Sequence, residues 1–276
     1  AALYLLCFLV TAWPMLLRME AAAAPDHHII QGFSEKHHAS LGVYSTTYKP
    51  LLAGSDEYAF AAYADYAQRV ATPKPKRIWF DGPGAERSAR TWLMDMAKTF
   101  PADLLLRGYA SAMRTFRYAD AFPPRSPEPT RLHATSFSIH RALAEHLHRF
   151  GIVYAIVTLA CIATYDFALS MGLFIFSLYL FGYVSLQCET RHAFHLIFAP
   201  FWVMGFLIQR ALCSAYFFKR HGLPDRHIAK QALIRATTFV ICCAILAVTP
   251  LLLLRTYQNY SAQAVISPIL AADRNP

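Results

Sequence analysis

The stretch Ala232–Leu254, ALIRATTFVICCAILAVTPLLLL, is the clearest apolar segment of the chain, and Arg255 follows it directly. A helix needs about 20 predominantly apolar residues to cross the hydrocarbon core of a bilayer. The stretch is long enough for one crossing and ends at a charged residue. It therefore predicts a membrane-spanning helix.

The composition of the whole chain points the same way. Of its 276 residues, 56% are hydrophobic and only 16% are charged, and the mean hydropathy is +0.30. These values are too apolar for an ordinary soluble domain and indicate a membrane protein. The apolar residues gather at 1–17 and 150–254, with a more polar segment between them.

Two further apolar runs predict additional spans. Gly151–Leu186 is long enough for two helices if the chain turns near Asp166 and Gly172, and a carboxylate left in mid-membrane would be costly. One tilted or re-entrant helix is the alternative for that run. Phe194–Ile208 predicts another span.

The first apolar run, 1–17, is marginal in length, and the chain begins inside it, so we expect a truncated transmembrane helix. A secretory signal peptide is the alternative, because MEAAAAPDHH offers an A-x-A-like cleavage site. The lack of a basic region before the apolar run favours the transmembrane helix.

The polar segment predicts four helices. Ser55 and Asp56 are N-cap candidates for SDEYAFAAYADYAQRV, and AERSARTWLMDMAKTF follows as a second helix. Pro101 opens PADLLLRGYASAMRTF at the first-turn position that proline tolerates. SFSIHRALAEHLHRF is amphipathic, which predicts a helix at the membrane surface.

The connection FFKRHGLPDRHIAK carries four Lys or Arg residues against Asp225, which predicts a cytoplasmic loop. The segment 18–149, the turn at 189–195 and the C-terminal tail are then outside. We therefore expect an all-α integral membrane protein with four or five transmembrane helices and a helical extracytoplasmic domain inserted after the first span. The expected parts are a span at 1–19, the domain at 20–149 ending in the interfacial helix, a transmembrane bundle at 150–256 and a polar tail at 257–276.

The stretch ETRHAFHLIFAPFW, 189–202, places Arg191, His192 and His195 against an apolar run. Two histidines near Glu189 suit zinc, but Arg191 would repel a cation. An arginine with two histidines suits the phosphate of an anionic or lipid-linked headgroup better, since guanidinium binds phosphate through a two-bond fork. Interfacial side chains that bond the backbone are the open alternative.

Two histidine pairs, in PDHHII and EKHHAS, are candidates for a metal site or a general base. No cysteine and no regular pattern of acids accompanies them, which favours a polar loop. We therefore expect no cofactor, with a divalent metal as the alternative. The four residues are His27, His28, His37 and His38.

The net charge of +9 is compatible with nucleic acid, but no nucleic-acid-binding motif accompanies it. In a membrane protein such a charge more often reflects phospholipid headgroups, so we expect membrane lipids and not nucleic acid as partners. The chain also has no GxSxG, HExxH or dinucleotide-binding motif, so no residue is assigned to catalysis.

The order of features resembles a known family. The segments HHASLGVYS, ERSARTWLMDMAKTFPADLLLRGYASAMR, Q-x-E-x-RHAFHL and LLLLRTYQ follow one another as in the C-terminal half of bacterial multi-spanning glycosyltransferase-like proteins, in the polyprenyl-phosphate-dependent glycosyltransferase C superfamily. The resemblance implies an inner-membrane location and a phosphate-side role for the arginine of Arg191–Phe194. The family keeps its catalytic acid in an early outward loop, which matches no residue here, so it implies a fragment without the catalytic N-terminal part.

Two functions follow from these features. The first is a glycosyltransferase-like envelope protein handling a lipid-linked (polyprenyl-phosphate) sugar, by displacement at the anomeric carbon with Arg191 holding the leaving phosphate. The second is a non-catalytic membrane subunit or scaffold of a complex with other membrane subunits. A transporter is disfavoured, because the spans hold few ionisable residues and show no repeat.

Overall fold

A computed structural model describes residues 30, 41, 55–70, 83–117, 131–182, 196–222 and 225–272 of the chain. Within these residues the protein is all-helical, with seven helices and no strand, which confirms the expected all-α class. The helices are α1 (Ser55–Val70), α2 (Pro83–Thr99), α3 (Pro101–Arg117), α4 (Arg131–Tyr165), α5 (Phe167–Gly182), α6 (Phe198–His221) and α7 (Arg226–Ala272).

Three of these helices are long and apolar enough to cross a membrane: α4 over Ala134–Tyr165, α6 over Phe198–His221 and α7 over Arg226–Ala264. Helix α5 is apolar but shorter. Membrane-type helices are therefore present where the sequence predicts them. The predicted span at 1–19 lies outside the described residues, so the total of four or five spans stays a prediction.

Helices α4 and α5 are separated by Asp166 alone, as the sequence predicts, whereas Gly172 lies inside α5. The Asp166 carboxylate accepts a hydrogen bond of 2.9 Å from the backbone N–H of Leu169, which is the geometry of a helix N-cap. Within the hairpin, the Ser170 hydroxyl donates to the Leu159 carbonyl over 2.6 Å. The carboxylate therefore caps the beginning of α5.

Helices α4 and α7 continue across the positions at which the sequence changes between polar and apolar residues. Helix α4 joins the predicted amphipathic helix and the following span into one element, and α7 continues past Arg255 into the predicted polar tail. A change from polar to apolar side chains does not itself interrupt the backbone hydrogen bonds of a helix. Even Pro250 lies inside α7, as proline does in membrane helices where neighbours re-satisfy the freed backbone groups.

The described residues fall into two compact units. The first contains those up to residue 104 and those from 257 onward, and the second contains 105–182 and 196–256. In the first unit, the hydroxyl of Tyr66 on α1 donates to the carboxylate of Asp95 on α2. Apolar side chains pack beside them, namely Ile30, Ala62, Ala89, Trp92 and Leu93.

Gln258 of α7 caps the beginning of α3 in the first unit. Its Oε1 accepts hydrogen bonds from the backbone N–H groups of Ala102 (3.0 Å) and Asp103 (3.1 Å), and its Nε2 donates to the Asp103 carboxylate over 2.8 Å. The first N–H groups of a helix have no partner within the helix. A buried side chain 155 residues away in the sequence supplies that partner here.

We predict that Gln258→Glu lowers the melting temperature, because it removes the amide donor and places a second carboxylate beside Asp103. The cost is about 1–3 kcal/mol, that of a buried polar group losing its partner. Adding Asp103→Asn restores most of the loss, since the asparagine amide donates to Glu. Thermal unfolding of the purified chain in detergent measures both changes, with the exposed Gln263→Glu as control. A double variant no more stable than Gln258→Glu would contradict the contact.

In the second unit, α3 packs against the C-terminal end of α5. The Ser111 hydroxyl donates to the Phe181 carbonyl over 2.7 Å, and the ring of Phe116 meets that of Phe181 edge-on at 5.0 Å. A Cβ atom added to Gly182 would lie 3.7 Å from the Gly108 carbonyl oxygen. This is an ordinary van der Waals distance, so the contact between the two helices does not itself require glycine at position 182.

Gly151 lies where α4 crosses the last turn of α3. A Cβ atom there would lie 2.8 Å from the carbonyl carbon of Phe116 and closer still to its oxygen. Cβ atoms do not approach a backbone carbonyl this closely, so only glycine fits without a shift of one helix.

We predict that Gly151→Ala destabilises the chain by about 1–3 kcal/mol, the usual cost of overpacking. Gly172→Ala is the matched control, because a Cβ there meets nothing within 4 Å. Alanine is favoured over glycine inside a helix, so the control is expected to be neutral or slightly stabilising. Thermal unfolding of the Gly151→Ala and Gly172→Ala variants measures the difference. Equal melting temperatures would show that α4 and α3 do not cross closely at Gly151.

Candidate functional site: the buried face of helix α3

The site residues predicted from the sequence lie outside the described residues. The structure therefore does not test the predicted phosphate site or the predicted metal site, and both stay predictions. The residues concerned are Arg191, His192 and His195, with Glu189 beside them, and His27, His28, His37 and His38.

The described residues that follow the predicted phosphate site form the beginning of α6. Leu196 is buried, and Ile197, at the N-cap position of α6, makes no side-chain hydrogen bond to the helix. The ring of His140 on α4 lies edge-on to that of Phe201, with 5.8 Å between centroids. An imidazole therefore stands beside the first turn of α6, whose N-terminal end carries the partial positive charge of a helix.

Helix α3 buries a polar face. Arg107, Ser111 and Thr115 recur every four residues and are buried, with Arg107 only 4% exposed, while Met113 is 46% exposed. Residues four apart share one face of a helix. Polar side chains are usually outside, so this face is the reverse of an ordinary soluble helix.

Hydroxyl groups of α3 donate to backbone carbonyls of other helices. Ser111 donates to a carbonyl in the last turn of α5, where no intrahelical donor remains. The Tyr109 hydroxyl donates over 3.0 Å to the carbonyl of Ala247 in α7, three residues before Pro250. Pro250 has no N–H, so the carbonyl that loses its intrahelical donor is that of Leu246, the neighbour of Ala247.

Burial raises the pKa of Tyr109 above its ordinary value of 10.0. The hydroxyl therefore stays protonated throughout the physiological pH range and can keep donating to Ala247. Thr115 bonds within its own helix, where its hydroxyl donates to the Ser111 carbonyl over 3.0 Å. Together these bonds make the buried face of α3 a fixed polar surface against two apolar helices.

Among the described residues, Arg107 is the one charged side chain that is buried. A guanidinium stays protonated at any physiological pH and presents five N–H donors in a planar fork. Burying such a charge is costly unless acceptors or an anion surround it. This fork is also the geometry that matches a phosphate group.

Arg107 is not among the site residues that the sequence predicts. The adjacent run Leu104–Leu106 is the more obvious apolar feature of α3, although its side chains are only half-buried. The signal that could have found the buried face is the four-residue spacing of Arg107, Ser111 and Thr115.

Metal binding finds no support in the part of the chain that the structure describes. No group of three or more His, Cys, Asp or Glu side chains lies close enough there to hold an ion. Asp166, between α4 and α5, is occupied as a helix cap.

Comparisons with known proteins give no family assignment. The chain matches no protein-family model, no curated protein and no solved structure. The resemblance to glycosyltransferase-like membrane proteins is therefore carried by its sequence features alone and stays a prediction.

We predict that Ser111→Ala destabilises the chain by about 1–3 kcal/mol, because the Phe181 carbonyl loses its donor in a buried position. Ser138→Ala is the control. Its hydroxyl also bonds a backbone carbonyl, that of Thr135 at 2.8 Å, but on an exposed helix surface. Thermal unfolding measures the melting temperature of each variant. Equal values would show that the Ser111 hydrogen bond does not stabilise the packing of α3 against α5.

Proposed function

We propose that this chain is a glycosyltransferase-like membrane protein of the cell envelope that handles a lipid-linked (polyprenyl-phosphate) sugar. The observation that carries the proposal is the buried guanidinium of Arg107, in a unit otherwise built from membrane-type helices. A buried charge is costly, which makes this guanidinium a functional candidate. We assign the phosphate of the lipid-linked sugar as the anion that it binds.

The chemistry of the site favours phosphate over a carboxylate or a metal. A guanidinium binds phosphate through two parallel N–H donors, and such charge-assisted bonds are about twice as strong as neutral ones. Removal from water strengthens the attraction further. Arg191, His192 and His195 directly precede the described beginning of α6 in the sequence, and we assign them to the same anionic headgroup.

The proposed reaction is a single displacement. The hydroxyl oxygen of an acceptor forms a bond to the anomeric carbon of the sugar, and the bond from that carbon to the phosphate oxygen breaks. The electron pair leaves with the lipid phosphate, whose charge Arg191 stabilises. The proton of the acceptor passes to a carboxylate that acts as general base, a role to which we assign no residue of this chain.

The proposal includes a topology. The segment 1–19 and helices α4, α5, α6 and α7 are the spans, in a bacterial inner membrane. Residues 20–149 then lie outside the cytoplasm, and the connection between α6 and α7 lies inside. The cationic composition of that connection supports this orientation.

Binding of farnesyl phosphate, compared with farnesol, tests the proposal on the purified chain in detergent. We expect the phosphate to bind more tightly than the alcohol. Arg191→Ala, and Arg107→Lys with its charge but without the planar fork, should each weaken phosphate binding by about tenfold or more. Arg131→Ala, an exposed arginine at the beginning of α4, is the control.

A chain that binds farnesyl phosphate and farnesol equally would refute lipid-phosphate handling altogether. If Arg191→Ala and Arg107→Lys both bind as tightly as Arg131→Ala, the phosphate clamp is wrong even though the lipid binds. Melting temperatures measured without ligand separate a loss of binding from a loss of folding.

A second function, a non-catalytic subunit of a membrane complex, is favoured by the exposure of two spans. In the apolar 18-residue stretch that marks each span, 6% of the residues are buried in α6 and in α7, compared with 28% in α4. Helices of a partner subunit would cover these faces. This alternative predicts that a photo-crosslinking amino acid at Leu253 captures one partner that co-purifies at fixed stoichiometry, and that farnesyl phosphate does not bind.

A further inference from the structure

Two arginines from different helices meet the C-terminal end of α4. Arg235 of α7 donates from Nη1 to the Thr164 carbonyl over 3.1 Å, and the guanidinium of Arg210 of α6 lies over the ring of Tyr165, 5.0 Å from its centroid. The last carbonyls of a helix lack intrahelical donors and carry partial negative charge. The carbonyl contact of Arg235 and the ring contact of Arg210 therefore orient both side chains toward α4.

Both helices extend beyond these arginines toward the connection between α6 and α7. Helix α6 continues over 211–221 and α7 begins over 226–234, which is about 16 and 14 Å of helix. Every residue of 211–221 is exposed, and in 226–234 only Ala232 is partly buried. We call these two segments the basic arms.

Positive charge is concentrated in the basic arms and in the two adjoining arginines, Arg210 and Arg235. Between residues 210 and 235 there are six Lys or Arg side chains and a single acid, Asp225. A single acid cannot neutralise them. The cations are Arg210, Lys219, Arg220, Arg226, Lys230 and Arg235.

Helix geometry directs the outer cations away from α4. Lys219 lies nine residues after Arg210, and Arg226 lies nine residues before Arg235, which in both cases is about half a turn around the helix. Because the inner arginines face α4, Lys219 and Arg226 lie on the opposite faces. Lys230, four residues after Arg226, shares its face.

Apolar side chains accompany these cations on the same faces. On α6, Leu212 and Tyr216 lie on the face of Lys219, and both are exposed. Leu233 continues the face of Arg226 and Lys230 on α7 and is exposed as well. Cations mixed with large apolar side chains are typical of helices that lie against a lipid headgroup layer.

We propose that the basic arms bind anionic phospholipid headgroups in the leaflet at that end of the helices. Lys219, Arg220, Arg226 and Lys230 contact the phosphates, and Arg220 is held toward the surface by its 3.1 Å hydrogen bond to the Tyr216 hydroxyl. The apolar neighbours enter the acyl boundary. Nucleic acid would satisfy the charge but would leave these apolar side chains in water. The proposal involves neither Arg107 nor Arg191, so it stands or falls separately from the proposed function.

Titration of the full chain in detergent with dioctanoyl phosphatidylglycerol, compared with dioctanoyl phosphatidylcholine, tests the proposal through the melting temperature and the apparent affinity. We expect stabilisation by the anionic lipid only, and weaker binding at 0.5 M salt because of screening. A cation near an anionic surface contributes about fivefold in affinity. The variant K219Q/R220Q/R226Q/K230Q should therefore lose about tenfold or more.

The matched control R87Q/K98Q/R117Q/R131Q removes four exposed cations elsewhere in the described residues and should bind phosphatidylglycerol like the original chain. The double variant K219Q/R226Q removes two of these four cations and should lose an intermediate amount of affinity for phosphatidylglycerol. It tests the proposal even if the fourfold variant does not fold. Equal affinity for the two lipids, or an equal loss in the control, would overturn the proposal. So would binding of glycerol phosphate or of a duplex oligonucleotide as tightly as the lipid, because the arms would then recognise phosphate without a membrane.

Discussion

Backbone groups at the ends of helices need partners, and between apolar helices water does not supply them. In the described structure, side chains from other helices do. Gln258 of α7 caps the beginning of α3 in one unit, and in the other Ser111 of α3 caps the end of α5 while Arg235 of α7 caps the end of α4. Each contact joins segments that are far apart in the sequence. The helices are thereby held by a few polar bonds in addition to apolar packing.

This constraint separates what the sequence predicts from what it does not. Local signals predict three helix boundaries: Ser55 begins α1, Pro101 begins α3, and Asp166 separates α4 from α5. These signals act within one turn of the residue that carries them. The capping by Gln258 depends on a backbone 155 residues away, and nothing in the local sequence indicates it.

The candidate site shows the same limit. Arg191 is conspicuous in the sequence because it stands directly before an apolar run, whereas Arg107 follows three leucines and looks like a surface residue of an amphipathic helix. Its burial is a tertiary property that the local sequence does not indicate. The prediction that phosphate binds near Arg191, His192 and His195 therefore stands untested, and the buried guanidinium of Arg107 is a second anion-binding candidate.

The proposed function depends on the binding of a lipid-linked phosphate by Arg107 of α3 and by Arg191, which precedes α6 in the sequence. A polyprenyl phosphate carrying a photoreactive group next to the phosphate, applied to the full chain in a bilayer, tests it directly by mass-spectrometric mapping of the labelled peptides. The account predicts labelling within 105–117 and 189–201 that an excess of unlabelled polyprenyl phosphate removes and that a phosphate-free analogue does not give. Labelling spread over the exposed faces of α6 and α7, equal with and without the phosphate, would contradict it.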